Sequence, residues 1–472
     1  MREGESAKAL KAGVWYTFSN FLSKGLVFIT TSIFARLLTK NEFGDYSNFA
    51  TWQNLLLIVA TLELYSTIPR AKYDYSEEID QYISTITLLG TLISLAIYAL
   101  VVVFMPFVSE LLGIEPKYIH VMFLYILVAP ALQIYQAKCR VYLKYISATI
   151  ITVISSIVSI LLAVLLVFLL EDKLFARIIG QQSVLIAVNV FMYGYILYKG
   201  RSFNRKYFPY ALKLAVPLIP HIIAGNLLGS FDKIAIKKIC GSEDLAYYSL
   251  AFSCALLANV LWSSLNQAMV PWLFERLSEN NRDEIKRVSR YYIGVFMVIA
   301  VGILFLVPEI VLIFGGRGYE GARSVMAPIV MGCCFQFAYS MYVNIEMFEK
   351  KTLLISMGTG GAALLNIPLN FIFIKLYGYS AAAYTTMFCY AALAVFHYFI
   401  VRKLGKSDVY DNKFNAIVLI IMQIITILVS LTYSNNLLRW SFFIVYLLLL
   451  TVVAVKEREK IKKLYLTMRG RR

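Results

Sequence analysis

Long apolar runs recur along the whole chain, and they constrain its fold more than any other feature. A helix needs about 20 apolar residues to cross a bilayer, and several runs reach that length. The sequence therefore predicts an all-α polytopic membrane protein with about 14 transmembrane helices. The predicted spans are 13–38, 43–68, 83–107, 118–137, 146–170, 176–198, 214–235, 245–272, 291–314, 322–348, 353–376, 380–401, 414–433 and 439–455.

The charge distribution predicts the orientation of these spans. Hydrophobic residues form 60% of the chain and charged residues 15%, against about 25% charged in soluble domains. A net charge of +17 would suggest nucleic acid in a soluble protein, but cytoplasmic loops of membrane proteins collect Lys and Arg. Most of the 45 basic residues fall in the two tails and in alternate loops. We therefore predict that both termini are cytoplasmic and that nucleic acid is not a partner.

Two parts of the chain are related by an offset of 202 residues. This offset places Tyr46 on Tyr248 and Ser47 on Ser249. It corresponds to six helices, an even number, so the two copies share one orientation in the membrane. The offset predicts two parallel-repeat six-helix lobes around a central cavity, followed by a C-terminal helix pair with a basic tail. The corresponding domains are 1–205, 206–405 and 406–472.

Polar residues near the middle of the spans are candidates for a substrate cavity. A position about 12 residues into a span lies near the membrane centre, because a helix rises 1.5 Å per residue. A charge at that depth costs at least about 2.5–3.5 kcal/mol, so Lys24 needs water, a partner or an anionic ligand. The predicted cavity residues are Lys24, Arg36, Asn20, Gln53, Asn54, His221, Asn226, Lys233 and Asn259.

These residues also have structural interpretations, which the sequence leaves open. Lys24 would pair with a neighbouring carboxylate, and Arg36 would be an interfacial anchor. The amides would join helices by hydrogen bonds, and His221 would be a packing residue. Three carboxylates are candidates for coupling or gating through a bound proton or cation, with interfacial ion pairs as the alternative. They are Glu63, Asp232 and Glu309.

The chain lacks motifs for catalysis or for a bound cofactor. The Gly-rich stretch at 315–321 has no Gly-Lys-Ser/Thr ending, so it does not match a phosphate-binding loop. The three histidines fall in separate spans, and the six cysteines form no CxxC pair. We therefore predict a transporter rather than an enzyme, without metal or cofactor. Its energy would come from H⁺ or Na⁺, or from the gradient of the substrate itself.

Four passages carry a family resemblance. They are SNFLSKGLVFITTSIFARLLTKNEFGDYS, VPLIPHIIAGNLLGSFDKIAIKKICGSEDLAYYSLA, IFGGRGYEGA and LNIPLNFIFIKLYGYSAAA. With them the chain resembles the polysaccharide repeat-unit (Wzx-type) flippases of the multidrug/oligosaccharidyl-lipid/polysaccharide (MOP) exporter superfamily. One departure is Ser380, where the YG-x-x-AA turn commonly carries Gly.

The resemblance implies a function and its setting. Two lobes around a cationic cavity would move undecaprenyl-diphosphate-linked oligosaccharide from the inner to the outer leaflet of the bacterial plasma membrane. The cavity cations would be Lys24, with Arg36 and Lys233 as further candidates. The product would enter a surface polysaccharide such as O-antigen or capsule, and a polysaccharide polymerase and glycosyltransferases would be partners beside the membrane lipids.

Two related functions remain open alternatives. One is a flippase for the lipid-linked peptidoglycan precursor, and the other is an H⁺- or Na⁺-coupled multidrug exporter of the same superfamily. A cationic drug would call for a carboxylate at the membrane centre, where the sequence places Lys24 instead. A glycan polymerase would carry a large outer loop, whereas the predicted outer loops have about ten residues or fewer.

Overall fold

The computed structural model describes residues 25–142, 144–201 and 203–456, and its regular elements there are helical. The main helices in chain order are α1 (Gly25–Leu37), α2 (Lys40–Thr61), α3 (Ile68–Asp74), α4 (Ile79–Val103), α5 (Met105–Leu112), α6 (Pro116–Val141), α7 (Tyr145–Leu169), α8 (Lys173–Gly200), α9 (Tyr207–Ala215), α10 (Ile219–Ile239), α11 (Ser242–Ser278), α12 (Arg282–Phe305), α13 (Val307–Gly315), α14 (Ala322–Phe348), α15 (Thr352–Tyr377), α16 (Ala381–Lys403), α17 (Asn412–Leu431) and α18 (Asn436–Lys456).

These helices supply the predicted membrane spans. Eleven of them are long and apolar enough to cross a membrane, and α9 with α10 forms a twelfth span bent by 45°. The shorter apolar α1 and the 22-residue α2 lie where the sequence predicts the first two of the fourteen spans. The charges of α2 are confined to its first two turns, which leaves the rest of the helix free for the bilayer. The structure thus confirms an all-α polytopic membrane protein.

The helices pack into two lobes. In the first lobe, α8 packs against α6, α7 and α4. In the second, α14 is enclosed by α16, α11, α12 and α17, while α15 packs on α16 and α10. Because α14 has neighbours on most of its faces, 72% of the residues in its most apolar stretch are buried. The C-terminal pair, α17 and α18, packs on α12 and so belongs to the surface of the second lobe.

The second span is broken near its end, where the sequence predicts a continuous helix over 43–68. Its start is fixed by a capping box, in which Thr39 and Glu42 each cap the backbone N–H of the other. The helix stops at Thr61, because Leu62 and Glu63 adopt φ values of 48° and 51°. Few non-glycine residues adopt such angles. The turn buries Glu63, which is 4% exposed.

The short helix α9 is attached to the first lobe, although it follows the predicted boundary at 205. Its Tyr207 hydroxyl donates to Glu78 at 2.6 Å, and its Tyr210 hydroxyl donates to Asp74 at 2.7 Å. Both rings also pack edge-on against Tyr75, with centroids 4.9 and 5.0 Å apart. The bend between α9 and α10 is therefore the place where the chain passes from one lobe to the other.

Two ionised carboxylates contribute to the attachment of α9, beside the burial of Tyr207, Ala211 and Ala215 in the first-lobe core. A hydrogen bond from Lys206 is the main reason that the pKa of Glu78 lies below its usual value, and one from Tyr210 does the same for the pKa of Asp74. A carboxyl whose pKa is lowered by folding stabilises the docked state above its ordinary pKa of about 4. This stabilisation is lost as the pH falls through the lowered pKa.

We expect α9 to loosen in acid, and the double variant Asp74→Asn/Glu78→Gln to loosen α9 already at pH 7. A nitroxide attached through Lys213→Cys reports the mobility of α9 by electron paramagnetic resonance between pH 7 and pH 3. The label should become mobile only below about pH 4 in the otherwise wild-type protein. Equal mobility of the label in both proteins at pH 7 would show that these carboxylates do not hold α9.

Candidate functional site

The two lobes meet where α2 passes α10 and α11. Ser47 and Ser249 form a hydrogen bond there, with their hydroxyl oxygens 2.6 Å apart. The same two serines are matched by the 202-residue repeat. The contact between equivalent residues therefore lies on the pseudo-two-fold axis that relates the lobes.

Two further hydrogen bonds across the lobes are related by the same repeat. Lys40 Nζ donates to the Tyr247 hydroxyl at 2.6 Å, and Ser242 Oγ donates to Asp45 Oδ1 at 2.7 Å. In the repeat, Lys40 corresponds to Ser242 and Asp45 corresponds to Tyr247. Each lobe therefore presents an equivalent pair of groups, and one rocking motion makes or breaks both hydrogen bonds together.

Two ion pairs of opposite polarity add to this contact. Lys40 pairs with Glu243 at 2.8 Å, and Lys237 of the second lobe pairs with Asp45 of the first. Partly exposed ion pairs contribute about 0–1 kcal/mol each, so they add little to the apolar core that Phe34 and Phe43 share with Leu245 of the second lobe. We call this contact the gate. It consists of Lys40, Gly44, Asp45 and Ser47 on one side and Lys237, Ser242, Glu243, Tyr247 and Ser249 on the other.

Gly44 allows the close approach of the backbones at the gate. A Cβ atom at this position would lie 1.9 Å from the carbonyl oxygen of Ser242 and 2.7 Å from its carbonyl carbon. Backbone atoms cannot rotate away as a side chain could. The closed gate therefore requires glycine at position 44.

Arg36 also lies beside the gate, near the end of its predicted span. Its guanidinium donates to the Ile313 carbonyl near the C-terminal end of α13, in the second lobe. Carbonyls at the end of a helix carry partial negative charge and attract cations. Arg36 thus joins α1 to the second lobe in this state. Its predicted role as a substrate contact stays a prediction.

Arg177 of α8 is a buried cation near the gate that the sequence analysis missed. Its guanidinium lies 3.3 Å from the ring centroid of Tyr46 and 4.3 Å from that of Phe34. The side chain is almost fully buried, and its Nε and Nη1 atoms have no hydrogen-bond partner. The aromatic rings come from helices that are distant in the sequence, so no local pattern marks Arg177.

Two of the predicted cavity amides join helices within one lobe. Gln53 Oε1 accepts a hydrogen bond from Gln182 at 2.7 Å in the first lobe. Asn259 Nδ2 donates to Gln336 at 3.2 Å in the second. These contacts fit the structural interpretation, and the predicted role of both amides as cavity residues stays a prediction.

Asn54 and Asn226 are exposed, and each lies midway along a helix that reaches the gate. A polar amide at that depth would be unfavourable in hydrocarbon, which favours a location facing a polar space between the lobes. Lys24 and Asn20 lie outside the described residues, and so does the side chain of His221. Their predicted roles stay predictions.

Asp232 of α10 is the centre of a buried polar network. It is 1% exposed, and its carboxylate accepts hydrogen bonds from Tyr248, from Asn370 at 2.6 Å and from Thr386 at 2.7 Å. Asn366 links the network internally, since its Oδ1 accepts from Asn370 at 2.8 Å. Four helices, α10, α11, α15 and α16, therefore meet at one carboxylate.

A small cavity lies next to this network. Its volume is about 60 Å³, and its lining includes Tyr248 and Thr386, whose hydroxyls both contact Asp232. A cavity of this size holds a few water molecules or a small hydrated cation. Lys233 lies at the same depth, with its ammonium 4.6 Å from the centroid of Phe252, another lining residue.

The chemistry of the network suits a small cation. Carboxylate, amide and hydroxyl oxygens from Asp232, Asn366, Asn370 and Thr386 are hard ligands of the kind that bind Na⁺ or accept a proton. The hydroxyls and amides can present either a donor or an oxygen to the centre. Of these four residues, Asp232 is the one among the predicted coupling candidates. The spacing of Asn366 and Asn370, one helical turn apart in an apolar span, was the available sign of its partners.

The other two carboxylate candidates have different surroundings. Glu309 of α13 pairs with Arg439 of α18, which is 1% exposed and also donates to the Phe305 carbonyl at 2.6 Å. Glu309 therefore attaches the C-terminal helix pair to the second lobe. Glu63 is buried in the first lobe at the break after α2, away from the gate.

These features define a class of protein, a multi-pass membrane protein with two repeat-related lobes that meet at one end. Two solved structures have this fold. One is "Lipid II flippase MurJ, inward closed conformation", with a TM-score of 0.72 and 17% identity over 95% of this chain and 100% of that chain. The other is an inward-facing multidrug resistance MATE family transporter of the MOP superfamily, with a TM-score of 0.59 and 14% identity over 82% and 95%.

The family follows from the sequence comparisons. The family model described as "Polysaccharide biosynthesis protein" matches residues 9–277, more than half of the chain, and the MatE model matches 217–372. A relative from Haemophilus influenzae, "Lsg locus putative protein 1", is 23% identical over 74% of this chain and 87% of its own length. The chain belongs to the polysaccharide biosynthesis protein family, within the MOP exporter superfamily. The predicted resemblance is confirmed.

Proposed function

We propose that the protein moves undecaprenyl-diphosphate-linked oligosaccharide from the inner to the outer leaflet of the bacterial plasma membrane. The observation that carries this proposal is the gate, where two equivalent lobes meet at one end through repeat-related polar contacts beside a shared apolar core. A lipid-linked headgroup needs a path that opens to one side at a time, and rocking of the lobes around the gate supplies it. The match to the polysaccharide biosynthesis family favours a glycan headgroup.

We place the gate at the outer surface. The connections after α1 and after α10 carry gate residues, and the positive-inside rule assigns both connections to the outer side. With both termini cytoplasmic, the described state is closed outside, and it is the state that receives substrate from the cytoplasmic leaflet. Opening of the gate then releases the headgroup at the outer leaflet, where a polymerase would use it.

The substrate would be held in the central cavity that the sequence predicts between the lobes. A lipid diphosphate carries several negative charges, and a cation in a site of low dielectric constant attracts it strongly. Lys24 is the cation that the sequence places at this depth, and Asn54 and Asn226 supply hydrogen bonds to sugar hydroxyls. Occupation of Asp232 by H⁺ or Na⁺ would bias the position of the second lobe and couple flipping to an ion gradient.

The test is a flipping assay with the purified protein in liposomes. A fluorescent polyprenyl-diphosphate-linked oligosaccharide is placed in both leaflets, and a membrane-impermeant quencher reports the fraction that crosses. We expect complete quenching with the protein and about half quenching in empty liposomes. Transport of only the lipid-linked peptidoglycan precursor, or only of a cationic dye, would replace this proposal by the corresponding alternative.

Substitution of Lys24 tests the cavity cation. We expect Lys24→Ala to reduce flipping at least tenfold at normal membrane abundance, whereas Lys24→Arg retains partial activity because the charge persists with different hydrogen-bond geometry. If Lys24 is only a structural partner of a carboxylate, Lys24→Ala leaves a buried charge unpaired, at a cost of about 3–5 kcal/mol. In that case abundance falls together with transport, and the two measurements separate the roles.

A further inference from the structure

A second buried acidic site lies in the second lobe, apart from Asp232. Glu346 of α14 and His397 of α16 are both 0% exposed, and Glu346 Oε1 lies 2.7 Å from His397 Nδ1. The remaining polar atoms of the pair, Glu346 Oε2 and His397 Nε2, have no hydrogen-bond partner. Buried polar atoms without partners are rare in folded proteins and require an explanation.

The charge of the pair decides its chemistry. With a neutral imidazole and an ionised carboxylate, the pair carries one net negative charge in an apolar interior, which is strongly unfavourable. One added proton makes the pair neutral overall, either as imidazolium with carboxylate or as imidazole with carboxylic acid. Because the two groups share one hydrogen bond, they bind this proton as a unit.

Aromatic rings pack on the imidazole of the pair. Tyr339 of α14 stacks on the imidazole with centroids 5.9 Å apart, and Phe396 packs edge-on against it. Glu349, near the same end of α14, is already paired with Lys406 at 3.0 Å. The neighbouring helices and loops present neutral polar or aromatic groups to α14 through Trp262, Asn266, Tyr292, Tyr410 and Asn412.

Helix α15 covers the free nitrogen of the pair. A Cβ atom added at Gly358 would lie 2.9 Å from His397 Nε2, so the α15 backbone packs directly on the ring. Eight residues further along the same helix, about 12 Å away, Asn366 belongs to the Asp232 network. A movement of α15 would therefore uncover His397 Nε2 and disturb the Asp232 network at the same time.

We propose that Glu346 and His397 together bind one proton, and that its release and uptake accompany the movement of α15 during transport. Proton binding by the pair is independent of the substrate. Its role in the cycle rests on the proposed function. The pair is thus a second ion site of the second lobe, linked to Asp232 through α15.

The first experiment detects the proton directly. The chain has three histidines, so ¹⁵N-histidine labelling gives three pairs of side-chain nitrogen signals, which single substitutions assign. Infrared spectroscopy of the same protein at pH 7 detects a protonated carboxyl group. We expect either an imidazolium signal for His397 or a carboxylic-acid band that Glu346→Gln removes and Glu349→Gln retains. A neutral His397 together with an ionised Glu346 at pH 7 would overturn the proposal.

The second experiment tests the role in transport. The double variant Glu346→Gln/His397→Gln keeps the size and hydrogen bonding of the pair and removes its proton. We expect liposomes with this variant to lose the stimulation of flipping by an imposed pH gradient, whereas Glu349→Gln keeps it. Unchanged stimulation in the double variant, with normal abundance, would refute the coupling role. Absence of flipping in the wild-type protein would instead refute the proposed function and leave the spectroscopic result standing.

Discussion

Gly44→Ala should reduce flipping more than tenfold, while the protein remains at normal abundance in the membrane. The added Cβ would lie 1.9 Å from the Ser242 carbonyl oxygen, so the lobes must separate at the gate. That separation weakens the hydrogen bond between Ser47 and Ser249 and the ion pairs beside it. A tenfold loss corresponds to about 1.4 kcal/mol against the closed state, which is modest for a clash between backbone atoms. The variant should accumulate in the state with an open gate.

The matched control is Gly194→Ala, because a Cβ added at that helical glycine meets no atom within 4 Å. On its own, alanine stabilises a helix by about 0.5–1 kcal/mol relative to glycine, so both variants should fold. Spin labels at Asn41→Cys and Lys238→Cys, on opposite sides of the gate, report the separation. We expect a longer distance in Gly44→Ala only. An unchanged distance and unchanged flipping would show that the gate does not close as described.

Asp232→Asn should abolish the dependence of flipping on H⁺ or Na⁺ and lower the rate at least tenfold. The substitution keeps the size of the side chain and removes the charge that would attract a cation. The neighbouring Asn370 and Thr386 remain available as hydrogen-bond partners, so we expect normal abundance. The measurement is the flipping rate in liposomes with imposed H⁺ and Na⁺ gradients, each applied alone. The gradient that drives the wild-type protein identifies the coupling ion.

Asp408→Asn is the control for this change, because Asp408 lies in a loop and pairs with the partly exposed Arg282. Loss of such a pair costs about 0–1 kcal/mol and should leave transport unchanged. Gradient-dependent flipping by Asp232→Asn at the wild-type rate would refute a coupling role for this carboxylate. An equal loss of flipping in Asp232→Asn and Asp408→Asn would point to a general effect of removing a charge.

The sequence predicted the helices well because long apolar runs are a direct physical requirement of a bilayer. It did not predict the break after α2, since Leu62 and Glu63 adopt positive φ without glycine or proline to mark the turn. It also did not predict that α9 joins the first lobe, because two tyrosine–carboxylate hydrogen bonds between distant segments hold it there.

The candidate site was predicted in part, and the reason is the distance between partners in the sequence. Asp232 stood out as a carboxylate near the end of an apolar span, but Asn370 and Thr386 come from helices more than 100 residues away. The 202-residue repeat matched Ser47 with Ser249, and both residues belong to the gate. The repeat shows which residues of the two lobes are equivalent. Only the packed structure shows that the equivalent residues Ser47 and Ser249 touch.

The most direct test of the account is a reversible cross-link on the pseudo-two-fold axis. Ser47→Cys and Ser249→Cys place two thiols where hydroxyl oxygens lie 2.6 Å apart, in a background without the native cysteines. We predict that oxidation forms the disulfide and stops the flipping of polyprenyl-diphosphate-linked oligosaccharide, that reductant restores it, and that neither single variant responds. Fully cross-linked protein that flips this lipid at the rate of the reduced protein would contradict transport by opening and closing of the gate.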